Sequence, residues 1–225
     1  HPDTRDYQAA LRLAFTDWGL PERLQVDRDA VFFDNKTRSP FPTQAHLWLV
    51  ALGIDLAFGR PNQPTDQAMT ERSHQLWAAQ CLQGQCYAGW DDLYLTLRRR
   101  RDFLNCHLPC TSLDNRPPLV AFPHAVHSGR PYRPAWEAEL LDMSRVYAFL
   151  AQGRWFRLVS RGGTFSLGRQ VYYIGHRWAR HQLDFTFDPS DQLLLCCDEA
   201  GQLIKRLPIR GVSAQALMGD LAPYV

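Results

Sequence analysis

The chain has 225 residues, 45% of them hydrophobic and 21% charged, with a formal net charge of +2. This composition excludes a long disordered polyelectrolyte and leaves enough apolar material for one or two buried cores. No stretch is apolar enough to cross a bilayer, and the first residues lack a signal-peptide pattern, so a soluble protein of the cell interior is expected.

From Asp3 to Trp18 apolar residues recur at helical spacing (Tyr7, Ala10, Leu11, Ala14, Phe15, Trp18), and Gly19 with Pro21 ends the run. The chain begins with His1 rather than a methionine, and residues 5–18 already read as a full helix, as expected for a segment of a longer polypeptide. A strand at Leu24 to Val26 follows, then a loop over 34–43 and a short apolar helix closed by Gly53. IDLAFG reads as a second strand, RPNQPTDQ as a break, and MTERSHQLWAAQCLQ as a new helix. The order helix, strand, helix, strand, helix argues for an α/β arrangement.

A further helix spans residues 90–105 and carries Arg98, Arg99, Arg100 and Arg101. Residues 107–134 show no periodicity and many prolines, which marks a linker. A last helix is expected over AWEAELLDMSRVYAFLAQ. Five β-rich runs then follow between 154 and 211, separated by Gly-Gly, Asp-Pro and Glu-Ala-Gly turns, and they suggest a small closed barrel of SH3 or OB size. The expected organisation is a core over 1–106, a linker and helix over 107–152, and a barrel over 153–225.

Arginine outnumbers lysine through the middle of the chain, where Arg116, Arg130, Arg133, Arg154, Arg157, Arg161 and Arg169 follow the four-residue run. Guanidinium forks suit phosphate, although the same residues equally make a solvated helix face and a sheet rim. The cysteine pairs Cys81/Cys86 and Cys106/Cys110, with His107 beside the second, raise the question of structural zinc. Neither has C-x-x-C spacing, and Cys81 falls in an amphipathic helical stretch, so reduced thiols are expected.

Two acids carry the chemical interest. Asp27 stands at the exit of strand LQV, and Glu71 lies in the first turns of the helix that follows the proline-rich break. Carboxylates drawn together from distant sequence suit a divalent-ion site for phosphoryl transfer, because hard ions such as Mg²⁺ take oxygen ligands. Taken singly, each has a plainer role: Asp27 caps a turn, and Glu71 complements a helix dipole.

The residues around both acids resemble the catalytic core of retroviral-type integrases and of the DDE transposases of bacterial insertion sequences. The family pattern D-x-G-x-x-F is matched by Asp27, Arg28, Asp29, Ala30, Val31 and Phe32, and P-x-x-x-G-x-x-E-R by Pro64, Ala68, Glu71 and Arg72. The stretches WGLPERL (18–24) and R-x-F-L-N (Arg101, Phe103, Leu104, Asn105) are also similar to these transposases.

The likeness covers residues 5 to about 110 and, less specifically, 154–211. It implies the C-terminal part of an RNase H-like core, a linker, and an SH3-like DNA-binding barrel. Both family glycines are replaced, by Asp29 and Ala68, and the separation of Asp27 from Glu71 exceeds that in retroviral integrases, an excess assigned to loop 34–43. The family's first catalytic aspartate precedes the helix with which this chain begins, and Asp3 and Asp6 fall too late to supply it.

The resemblance therefore implies Mg²⁺-dependent DNA strand cleavage and transfer at transposon ends, with Mn²⁺ as a substitute ion. Asp27 and Glu71 are the metal-binding catalytic residues, and this chain is expected to be inactive alone. Double-stranded DNA is the expected partner, the chain is expected to form a homo-oligomer on it, and the expected location is the prokaryotic cytoplasm at the nucleoid. Arg72, His74, Arg98, Arg101, Arg157, Arg161 and Arg169 are the expected DNA contacts, with Trp155, Tyr172 and Tyr173 divided between DNA and core. The rival reading is a non-catalytic DNA-binding accessory protein derived from a transposase. A metallohydrolase acting on other substrates would need a third internal ligand, and none is evident.

Overall fold

The computed structural model describes residues 2–59 and 68–219, so the proline-rich stretch 60–67, with Pro64 of the motif, and the end of the expected barrel segment lie outside the described residues. The chain divides into two compact units, one of residues 1–58 with 129–225 and one of residues 59–128. These units cut the chain at different places from the segments read in the sequence, because the first strands and the C-terminal sheet share one core.

The first unit begins with α1 (Thr4–Trp18). Asp3 accepts the N–H groups of Arg5 and Asp6, while the Asp6 carboxylate returns to the Asp3 N–H at 2.8 Å. This reciprocal cap satisfies helix-start donors that would otherwise need water. Gly19, at φ 76°, ends the helix with its N–H on Phe15 O. The chain then enters β1 (Arg23–Val26).

Thr43 caps α2 (Gln44–Ala51), which buries Ala45, Leu47, Trp48, Leu49 and Ala51. A helix this apolar on all sides belongs inside a core. It leads to β2 (Asp55–Phe58), which pairs parallel to β1 in the register Arg23↔Asp55 to Val26↔Phe58. Strand, helix and parallel strand thus form a βαβ crossover, and Asp27 leaves it at the C-terminal end of β1.

The C-terminal part contains β3 (Arg154–Leu158), β4 (Thr164–Leu167), β5 (Gln170–Tyr173), β6 (Gln182–Asp188), β7 (Leu193–Cys197) and β8 (Leu203–Pro208). There are six strands here rather than five, because TFSLGRQVYYIG folds back at Gly168 and Arg169, with φ of 57° and 63°. The ladders form a four-stranded antiparallel sheet in the order β3-β6-β7-β8 and a separate β4-β5 hairpin. Among the described residues no ladder closes them into a barrel. Alternation along β6 sends Leu183, Phe185 and Phe187 inward, with Phe185 opposite Trp155 and Cys196.

The helix expected over 135–152 is interrupted. It divides into α6 (Glu137–Leu140) and α7 (Met143–Ala151), because Asp142 donates its N–H to Ala51 O at 3.0 Å and caps α7 through Ser144 N–H.

Loop 34–43 also has a structural task. Pro40 O accepts Trp155 Nε1–H at 3.1 Å, Ser39 Oγ accepts Phe156 N–H at 3.2 Å, and the Phe41 ring lies 4.7 Å from Trp155. A side chain at Gly168 would meet Phe41 at 2.9 Å, so the hairpin turn needs glycine for space as well as for its positive φ.

A buried polar network ties these layers together. Glu137 is fully buried and accepts Arg12 Nε–H at 2.8 Å, Arg12 Nη2–H at 2.7 Å, Trp48 Nε1–H at 2.9 Å and the Tyr132 hydroxyl. Arg12 also donates to Met218 O at 2.7 Å, at the C-terminal end of the short α8 (Ala214–Met218). Burial works against the Arg12 charge, but the bonds and charge of Glu137 outweigh it and hold the guanidinium above its ordinary value. Breaking such a pair on one side costs about 3–5 kcal/mol, because the partner charge is left buried.

The second unit contains α3 (Ala68–Trp77), a π turn at Ala78–Leu82 where the sequence reads one continuous helix, α4 (Trp90–Cys106) and α5 (Pro118–Ala121). Among its described residues Cys81 alone is buried. Stretch 107–134 holds short helical turns rather than open linker, and from Gly129 onward it belongs to the first unit. All six cysteines are free thiols, and no helix among the described residues is long and apolar enough to cross a membrane.

Candidate functional site

The β1 exit is a tight acidic turn. Asp27 is exposed and accepts the Asp29 N–H at 3.1 Å on Oδ1, and Asp29 accepts the Val31 N–H at 2.8 Å on Oδ1. The Phe32 and Phe33 N–H groups close on Asp29 O at 3.0 and 2.9 Å. Short polar side chains that bond the backbone two residues on make such turns without glycine. That is how Asp29 occupies the position where the resembling pattern has glycine.

Tyr7 of α1 completes this corner. Its ring meets Phe32 edge-on at 5.1 Å, and burial, then the charges of Asp29 and Asp27, raise its hydroxyl above the ordinary value. Because Phe32, on which the Tyr7 ring packs, bonds through its N–H to Asp29 O, Tyr7 stands beside the turn that Asp27 and Asp29 make. Neither Tyr7 nor Asp29 is singled out by the sequence reading. Tyr7 is read there as a core helix residue, and Asp29 as a lost glycine, although an acid two residues after Asp27 is itself a signal.

Arg28, between the two acids, is exposed and stacks over the Phe33 ring at 5.0 Å. The corner therefore offers hard oxygen donors with a cation beside them. Carboxylate oxygens are what Mg²⁺ or Mn²⁺ takes. Among the described residues, no group of three His, Cys, Asp or Glu side chains comes together as a metal site.

Glu71 in the first turn of α3, Arg72 after it and His74 in the last turn are exposed and belong to the second unit, whereas Asp27 lies in the first. Glu71 and His74 are three apart and so share a side of the helix. Arg98 is exposed on α4, with its guanidinium over Tyr94 at 5.7 Å, and Arg101 pairs with Asp102 at 3.2 Å.

The remaining expected DNA contacts lie in the first unit and play unequal parts. Arg157 donates to Ser39 O at 2.7 Å, Phe156 O at 2.8 Å and Ser166 O at 2.9 Å, so its guanidinium holds loop 34–43 to the sheet. Burial lowers its pKa, against a raising effect of the Asp34 charge. Arg161 and Arg169 are both exposed, on the turns at opposite ends of β4. Trp155 and Tyr172 are core residues at 4% and 3% exposure, whereas Tyr173 is 54% exposed. The expected basic set thus divides between units, with Arg157 committed internally and Arg98, Arg161 and Arg169 facing solvent.

Searched against models of known protein families, the chain matches none.

Proposed function

We propose that this chain is part of a DDE-type integrase or transposase, supplying two of its metal-binding carboxylates, Asp27 and Glu71, together with a DNA-binding region. The observation that carries the reading is the parallel β1–α2–β2 crossover with Asp27 at the strand exit. In α/β sheets, ligands and reacting groups gather beyond the carboxyl ends of the strands. The RNase H-like core and SH3-like module implied by the sequence are compatible with this mixed α/β arrangement and belong to the same proposal.

In this reading Asp27 and Glu71 hold Mg²⁺, with Mn²⁺ as a substitute, and a third carboxylate comes from an upstream strand. The ion, when bound, activates an oxygen nucleophile and stabilises charge on the phosphoryl group. The chain's own residues orient the DNA: Arg72, Arg98, Arg161 and Arg169 contact phosphates, and His74 stands one turn beyond Glu71. Phosphate contacts of this kind set register on the duplex without reading bases. Multimeric assembly on paired DNA ends and a place at the nucleoid follow from the same reading.

The test is strand joining by the full-length protein. Glu71→Gln abolishes Mg²⁺-dependent joining and leaves DNA affinity nearly intact. If joining persists in the variant, the catalytic assignment is wrong. Loss of joining and of DNA affinity together assigns Glu71 a folding role. A full-length wild-type protein that binds DNA and never joins strands supports the non-catalytic accessory reading instead.

A further inference from the structure

A cavity of about 250 Å³ opens in the first unit beside the acidic corner. Its walls include Phe33, Phe58, Phe149 and Trp155, and its polar groups are His46, Asp34 and Gln152. Phe33 and Phe58 meet edge-on at 5.4 Å, and the His46 ring lies 5.6 Å from Phe58 and 5.0 Å from Phe149. Phe58 ends β2, and Phe33 closes the turn that begins at Asp27, so the cavity and the acids share one end of the strands.

Three features define what fits. The volume falls below the roughly 300–1,000 Å³ of pockets that enclose a whole small ligand, which leaves room for one planar ring system. The walls are aromatic faces and edges, the surfaces on which unstacked bases lie.

The third feature is polar. Among the described residues the His46 ring nitrogens take no hydrogen-bond partner, and burial lowers its pKa to about 4. At neutral pH the ring therefore offers one donor and one acceptor to a base edge. Gln152 spends its amide N–H on Ala148 O at 3.3 Å and keeps its carbonyl oxygen as an acceptor. Outside the aromatic wall Arg28 lies over Phe33 at 5.0 Å, where the phosphate of a nucleotide whose base entered the cavity would need a cation.

We infer that this cavity receives a single nucleobase, unstacked from the DNA, while its phosphate stays at the rim beside Arg28 and the Asp27 turn. The inference rests on the DNA-binding reading and adds a base-capturing step to it. Extruding a base costs least at frayed ends, mismatches and single-stranded tails. The cavity therefore favours a strand end over continuous duplex.

The experiment titrates the chain into duplexes with a short single-stranded tail, carrying 2-aminopurine at successive positions. Anisotropy of a separate dye reports binding. The expected result is a fluorescence change confined to one or two positions near the tail. Phe33→Ala abolishes it and weakens tailed-duplex affinity by roughly 5- to 150-fold, the range for losing one stacked base.

Gln152→Trp is the second variant. It plugs the cavity from an exposed position, so it should remove the fluorescence change while the melting temperature holds. Saturable DNA binding with 2-aminopurine silent at every position overturns the cavity proposal and leaves the DNA reading standing. A fluorescence change that survives Gln152→Trp also overturns it. Absence of any DNA binding at low salt overturns both. If the variants instead abolish self-association while DNA binding is unchanged, the cavity seats a protein side chain and the proposal fails.

Discussion

In the first unit α2, only 8 residues long, buries Ala45, Leu47, Trp48, Leu49 and Ala51, whereas the 17-residue α4 of the second unit buries none. Trp48 is fully buried, while Trp90 at the start of α4 is 84% exposed. The same residue type thus anchors a core in one unit and stands in solvent in the other. Burial of apolar surface is the main favourable term in folding, at about 25 cal/mol per Å². Order in the first unit therefore comes from its own core, and the second unit, with Cys81 as its one buried side chain among the described residues, has far less to draw on.

The largest effect should come from the buried network. Glu137→Ala removes the acceptor that serves Arg12, Trp48 and Tyr132, and urea unfolding should show a loss of about 3–5 kcal/mol. Trp90→Ala in the second unit should change the same transition by no more than about 0.5 kcal/mol. Equal effects would dissolve the distinction between the units. Next in size is Gly168→Ala, which forces a methyl group against Phe41 at a positive φ, and a destabilisation of about 1–3 kcal/mol is expected in the same measurement.

Hydrogen exchange sharpens the contrast by element. Amides of α2 and β6 should exchange only through global opening, and those of α4 through local opening, orders of magnitude faster. Protection in α4 equal to that in α2 would require burial that its exposed side chains do not provide.

A pH series isolates one residue of the first unit. The folded-state pKa of His46 is lowered to about 4 by burial, below its ordinary 6.5. The unfolded chain therefore binds more protons between these values, and stability should fall as pH drops from about 6.5 to 4. His46→Phe should flatten that part of the melting-temperature profile. A profile identical to wild type would mean that His46 is solvated.

The smallest effect is chemical. Burial pushes the Cys196 thiol up to about 12, and Cys196 and Cys81 are both fully buried, while Cys86 and Cys106 are exposed. Thiol labelling should modify Cys86 and Cys106 first, then Cys81 as the second unit opens, and Cys196 last. Labelling of Cys196 before Cys81 would reverse the stability order of the units.

The elements that could be read from sequence are those fixed by local chemistry. α1 carries a regular apolar repeat with Asp3 and Gly19 at its ends, and β6 carries strict alternation, so both stand where periodicity places them. The breaks and additions come from tertiary partners. The helix over 135–152 divides because Ala51 O and the Asp142 cap hold the chain there, and loop 34–43 is drawn into the core by Trp155 and Arg157, which lie more than 100 residues away in sequence. At the candidate site Asp27 was legible as an acid at a strand exit. Its companions Tyr7 and Asp29 were not, since packing on Phe32 and a side-chain turn leave little trace in residue spacing. Arg157 shows the reverse case, a basic residue that reads as a DNA contact while its guanidinium is spent on backbone carbonyls.

The most direct measurement is anisotropy of labelled duplex DNA titrated with this chain over a salt series. The account predicts saturable binding whose log K falls with log salt at a slope of roughly −3 or steeper, as release of counterions from several phosphates requires, and a shallower slope when Arg98, Arg161 and Arg169 are replaced by Ala. Absence of binding at low salt, or a slope that the triple replacement leaves unchanged, would contradict it.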